Sequence, residues 1–227
     1  MKADDASAVL RLLTRAIRAG MAPGMVAGWL KPHDSDPRCV AAGHASVRPV
    51  AEEMTEDRWF DLASLTKVLV ITPLVLIALR NQDLSLETRV DQTVPELGGT
   101  ALGARRIRHL LTHTSGLPAW APLYAHGGGR DSDAVIRVLA GMRVGEVRGD
   151  VVYSCPGFIL LGLILERLAG MPLDVLFERH VLGPLSLANE IGFRPGPGTP
   201  LVSGACSPDA ERALMIERGL EPACIPE

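Results

Sequence analysis

Phe60-Asp61-Leu62-Ala63-Ser64-Leu65-Thr66-Lys67-Val68-Leu69-Val70 is the most informative segment of this chain. A helix that begins near Ser64 puts residues three apart on one face, with Cβ atoms about 5–6 Å apart, so the Ser64 hydroxyl and the Lys67 amine meet. Leu65, Val68 and Leu69 flank the lysine; apolar surroundings disfavour a charged amine, and a neutral amine accepts the proton of an attacking hydroxyl. The helix N-terminus adds positive partial charge where an oxyanion develops. A Ser-x-x-Lys pair alone is common, and a lysine on a helix usually faces water. Here it is one of three lysines in the chain, with Lys2 and Lys31, and it stands in an otherwise uncharged run from Leu62 to Leu79.

Outward from this segment, the 227 residues are 47% hydrophobic and 22% charged, enough apolar material for a core and too much for a disordered polymer. A net charge of −3 gives no basic surface for phosphates, so nucleic acid is not an expected partner. Cys39, Cys155, Cys206 and Cys224 are widely spaced, without a C-x-x-C pair, and read as small buried residues. Met1-Lys2-Ala3-Asp4-Asp5 has acids where an export signal turns apolar. The longest apolar stretch, Val68 to Leu79, is twelve residues against the roughly 20 a bilayer span needs. The expectation is a cytoplasmic protein with no membrane partner. Oligomeric state leaves no mark in the sequence.

Residues 5–19 read as an amphipathic helix with Ala8, Leu12, Leu13, Ala16 and Ile17 on its apolar stripe, stopped by Gly20. Met25–Leu30 and Arg38–Ala42 read as an antiparallel hairpin around a loop rich in Asp and Pro, and Trp59–Leu62 as a short extended piece. Helices follow at Ser64–Arg80, Arg106–Leu111, Ser132–Gly141, Gly157–Ala169 and Leu173–His180, with a glycine run at Gly127–Gly129 and a Gly- and Pro-rich loop from Phe193 to Thr199. The fold class is therefore α/β (α+β), one domain over 1–227 with a helical subdomain at about 64–190.

Two further segments carry chemistry. Val151-Val152-Tyr153-Ser154-Cys155-Pro156-Gly157-Phe158 holds a tyrosine in a tight loop before an apolar helix, where a phenol near an amine relays protons; a core tyrosine is the plainer alternative. His109 and His113 have the i, i+4 spacing of two zinc ligands, yet Leu110 stands where a zinc hydrolase has its glutamate, and a hydrogen-bonded loop is favoured over a metal site. The G-x-S-x-G elbow and the P-loop are both absent, and Arg194-Pro195-Gly196-Pro197-Gly198 is too proline-rich for a dinucleotide turn.

In this order the motifs resemble the serine β-lactamase and penicillin-binding-protein superfamily, in its class C-like branch of carboxylesterases and D-peptidases. Ser64-Leu65-Thr66-Lys67 matches the nucleophile motif, Tyr153-Ser154-Cys155 stands where that family has Tyr-Ser-Asn, and Leu110-Leu111-Thr112-His113-Thr114-Ser115-Gly116-Leu117-Pro118 matches a loop of that branch. The resemblance runs from about Ala22 onward. It implies an antiparallel sheet flanked by helices, Ser64 as acylated nucleophile, Lys67 as its proton acceptor and Tyr153 as second acid/base. Small esters, amides or β-lactam-like molecules would be substrates, with no metal or cofactor. Trp120 would line the acyl pocket, with an ordinary buried indole as the alternative.

Two departures stand out. Cys155 replaces the family's substrate-binding asparagine, and a thiol offers neither a carbonyl nor an NH₂. The family's third motif, Lys-Thr-Gly or a histidine variant, is absent, and only 74 residues follow Tyr153. The strand carrying it would supply an oxyanion-hole N–H, worth on the order of 10²–10³ in rate. On that basis the chain reads as the N-terminal two-thirds of such an enzyme with the final strands missing, leaving the hairpin without sheet partners. The alternative is a catalytically inactive relative, acting as a binding module or surviving as a fragment.

Overall fold

The computed structural model describes residues 4–32, 35–123, 131–193 and 195–203. Among them the chain divides into two compact units, one of residues 4–62 with 195–203 and the other of 63–193. The glycine run at Gly127–Gly129, Arg194, Cys206 and Cys224 lie outside the described residues.

The first unit is built on α1 (Asp4–Arg18), β1 (Gly24–Trp29), β2 (Arg38–Ser46) and β3 (Glu52–Glu53). Val9, Leu13, Ala16 and Ile17 form the half-buried stripe of α1, while Leu12, expected on it, is 60% exposed. Leu12 lies one residue off a 3.6-residue repeat that runs through Val9, Leu13 and Ala16. β1 and β2 pair antiparallel from Gly24↔Gly43 to Trp29↔Arg38. Glycines occupy both members of the first pair because the backbones nearly touch: a Cβ on Gly24 would sit 2.3 Å from the His44 carbonyl oxygen, and one on Gly43, at φ +82°, 2.3 Å from that of Pro23. The hairpin is not left without a partner. β3 adds to β2, giving the order β1-β2-β3, and the Ser203 N–H donates to the Ala45 carbonyl at 2.9 Å. The extended piece at Trp59 makes a parallel bridge to Leu201.

The second unit is helical. Ser64–Arg80 is not one uniform helix: a turn holds Ala63 and Ser64, Lys67–Ile71 is π-helical, and α2 (Thr72–Arg80) follows. Pro73 explains the widening, since it lacks an N–H and its ring crowds the carbonyl four residues back. The Lys67 carbonyl instead takes the Thr72 N–H and, at 2.8 Å, the Thr72 hydroxyl. Next come α3 (Val90–Thr93), α4 (Ile107–Leu111), α5 (Ser132–Gly141), α6 (Cys155–Ala169), α7 (Leu173–Phe177) and α8 (Gly183–Leu185), the last two linked by a π-helical turn at Glu178–Leu182.

Helix α6 is the hub and packs on α2, α3, α4, α5 and α7. The Ser154 hydroxyl caps its start by accepting from the Gly157 N–H at 3.3 Å, and Gly170 in the left-handed region (φ 64°) closes it. Leu160, Leu161 and Ile164 are fully buried against Leu74, Val75, Ile107, Leu110 and Leu139. At the far end of α6 the Arg167 guanidinium grips Glu96 with two bonds of 2.7 Å, which holds the Glu96 carboxyl down to about 2. A depressed carboxyl contributes stability that is complete above its ordinary value of 4.5 and lost as pH falls toward about 2. Glu96→Gln is expected to lower the Tm slightly at pH 7 and to leave it unchanged near pH 2. Thermal melts across that range check it. Among the described residues no helix is long and apolar enough to cross a membrane.

Candidate active site

Every described side chain of the site belongs to the helical unit. Ala63 adopts φ 42°, a left-handed conformation that non-glycine residues rarely hold, and this bend starts the turn that presents Ser64. The turn is closed by Thr66 N–H to Ala63 carbonyl and Lys67 N–H to Ser64 carbonyl, both 3.1 Å. It brings the Lys67 Nζ to 3.1 Å from the Ser64 Oγ, the pairing the spacing predicts.

The Lys67 environment is different from the one expected. Leu65 and Val68 are 51% and 58% exposed and do not enclose the amine. Its neighbours are polar. Nζ donates to the Cys155 Sγ at 3.5 Å and lies 5.0 Å from the centre of the Tyr153 ring. Ser64 and Lys67 both hydrogen-bond the Tyr153 phenol, and these two bonds, Ser64 first, hold it below the ordinary tyrosine value of 10.0. The half-exposed phenol is thus biased toward its ionised form, the form that accepts a proton from the serine, with a cation beside it.

Tyr153 is positioned by the loop 112–119. The Cys155 N–H donates to the Ala119 carbonyl at 2.9 Å, and the buried Ser154 hydroxyl donates to the Pro118 carbonyl at 2.8 Å. Gly116, at φ +78°, lets that loop pass the 145 turn, where the Gly145 N–H meets the Gly116 carbonyl at 2.9 Å and a Cβ would fall 2.3 Å from the Gly145 oxygen. Arg105 fastens both segments, its guanidinium donating to the Ser115 and Gly145 carbonyls. Trp120 follows Ala119 and is half-buried.

Cys155, which the resemblance puts at the substrate-binding position, is half-buried and in contact with the Lys67 amine 88 positions away. Sequence reading misses one member of this cluster, His113. Its carbonyl accepts from the Val152 N–H at 2.9 Å, its Nδ1 accepts from the Ser154 N–H at 3.0 Å, and its ring lies 4.7 Å from Tyr153 and 5.0 Å from Phe158. His109 has a separate role, its Nδ1 accepting from the Arg106 N–H at 3.1 Å at the start of α4. Among the described residues no group of three or more His, Cys, Asp or Glu is placed to hold a metal ion.

The model of a family described as "Beta-lactamase" matches residues 13–207. The chain belongs to the beta-lactamase family. Esterase EstB of Burkholderia gladioli is 30% identical over 163 residues, covering 64% of this chain and 41% of that protein. The hydrolase EstCE1, described as having promiscuous acyltransferase activity, superposes with TM-score 0.71 at 27% identity, over 90% of this chain and 57% of its own. A class C beta-lactamase gives TM-score 0.69 at 25% identity, over 83% and 51%. This beta-lactamase-family chain thus spans about half the length of these relatives, and its mixed α/β architecture is theirs.

The thiol in this beta-lactamase-family site leads to a prediction. A carboxamide oxygen accepts a charge-assisted bond from an ammonium better than a sulfur does, by an amount worth about tenfold or more. Cys155→Asn is expected to raise the rate of Ser64 acylation on the order of tenfold. Stopped-flow acylation of the two proteins checks it.

Proposed function

We propose that this chain is a serine hydrolase that works through an acyl-enzyme on small esters, amides or β-lactam-like molecules. Ser64 Oγ attacks the substrate carbonyl carbon while its proton passes to the Lys67–Tyr153 pair. The same pair returns a proton to the leaving oxygen or nitrogen as its bond to carbon breaks. Water then attacks the Ser64 ester, the pair taking and returning the proton in the reverse sense, and the acid leaves. No metal or cofactor enters these steps.

The observation that carries this reading is the Lys67 amine 3.1 Å from the Ser64 Oγ, with a phenol, held below its ordinary value, bonded to both. A second reading, a site that binds such molecules without turning them over, rests on Cys155, whose sulfur supplies Lys67 with a weak acceptor. A p-nitrophenyl ester separates the two. The hydrolase reading expects a burst of about one nitrophenolate per chain followed by turnover, both lost in Ser64→Ala. Saturable binding with no burst supports the second reading and overturns the first.

A further inference from the structure

Tyr153 sits between two residues whose backbone amides are both held by His113. The Val152 N–H donates to the His113 carbonyl at 2.9 Å on one side, and the Ser154 N–H donates to the His113 Nδ1 at 3.0 Å on the other. The imidazole face then lies 4.7 Å from the Tyr153 ring, tilted 41°, with Phe158 of α6 5.0 Å away. His113 itself is at φ 58°, so the backbone spends left-handed strain to place this one side chain. These contacts hold the phenol from both flanks and from one face.

The clamp has a protonation requirement. Nδ1 accepts from a backbone amide, so it carries no proton; a charged imidazolium has N–H on both nitrogens and would turn one against the Ser154 N–H. The groups that face the ring are Lys67 from the π-helical turn and Tyr153 from the loop, with Cys155 of α6 reached through Lys67. Arg105, Arg106, Arg108 and Glu87 act on His109 instead. Burial and then the Lys67 cation both oppose a charge on His113, placing its protonation below the ordinary value of 6.5.

We propose that His113 is the positioning residue of this site, a clamp on Tyr153 that holds only while its imidazole is neutral and that therefore sets the acid limit of Ser64 acylation. The proposal rests on the acyl-enzyme reading for its kinetic part, and its structural part stands on the Ser154 amide. As pH falls, His113 gains its proton, the Ser154 bond breaks, and the phenol leaves its place between Ser64 and Lys67.

Two measurements on the 227-residue protein test it. In ¹⁵N-resolved NMR spectra the Ser154 amide is expected to titrate with the His113 ring, with a midpoint below about 6.5 that rises in Lys67→Met. In His113→Asn, where the side-chain oxygen replaces Nδ1 and the residue type tolerates the left-handed backbone, that titration should vanish. Acylation by a fluorophosphonate should fall about tenfold one pH unit below the same midpoint in wild type. His113→Asn should keep the wild-type rate near pH 8 within about threefold and lose the acid limb, whereas His113→Leu should be slow at every pH. A Ser154 amide indifferent to His113, or an unchanged acid limb in His113→Asn, overturns the proposal. A titrating amide with no labelling of wild type at any pH sinks the acyl-enzyme reading and leaves the clamp standing.

Discussion

Lys67→Met is expected to slow acylation of Ser64 on the order of 10²–10⁴ at pH 7, the range a positioned proton-transfer group contributes. Methionine keeps the length and the apolar stem of lysine and removes the charge and its donors. Three things are lost together: the bond to the Ser64 Oγ, the bond to the Cys155 Sγ, and the cation beside the Tyr153 phenol. The last loss raises the cost of a phenolate, so the remaining acceptor weakens as well. The π-helical turn around residue 67 is held by backbone and Thr72 bonds that methionine leaves in place, so the Tm should move little. Second-order labelling rates with a fluorophosphonate, read beside thermal melts, check both halves. A Lys67→Met protein that labels within threefold of wild type means the amine takes no part.

Tyr153→Phe removes one oxygen and keeps the ring that meets His113 and the Lys67 ammonium. The expected loss is on the order of 10²–10³ in acylation, with substrate affinity nearly unchanged. The pH profile carries the diagnostic part. A phenol held below 10.0 accepts the serine proton once it is ionised, so above the His113 limb wild-type acylation should climb a second time and level off below the ordinary tyrosine range, whereas Tyr153→Phe should lose that second rise. Because the two groups act as a unit, Lys67→Met with Tyr153→Phe should cost about as much as the worse single change. Additive losses would mean that they work independently.

The helices and the hairpin were legible because each buries one face and the sequence repeats at the matching period. Helix α6 shows it best: a run with no charge before Glu166, opened by Ser154 and Pro156 and closed by Gly170. The Ser64–Lys67 contact was legible for the same reason, being set by local spacing. What escaped notice is non-local or patternless. β3 is two exposed glutamates, which no alternation reveals. The π-helical turn depends on how the carbonyls ahead of Pro73 are reassigned, a choice visible only once the Lys67 oxygen has its two donors. Cys155 is placed at the site by its motif position, while its contact with Lys67 comes from packing of α6 on the segment 67–71, which residue type alone does not announce. His113 lies in a polar loop whose composition suggests hydrogen bonding without naming the Ser154 amide as the donor. The exposed Leu65 and Val68 show the opposite failure, where sequence neighbours were mistaken for spatial ones.

The most direct test is covalent capture of the nucleophile. After treatment with a fluorophosphonate, intact mass and peptide mapping should find one adduct per chain, on Ser64, and none on the Ser64→Ala protein. An unmodified wild-type chain, or an adduct that persists in Ser64→Ala, would contradict the assignment of this serine and of the amine and phenol gathered around it.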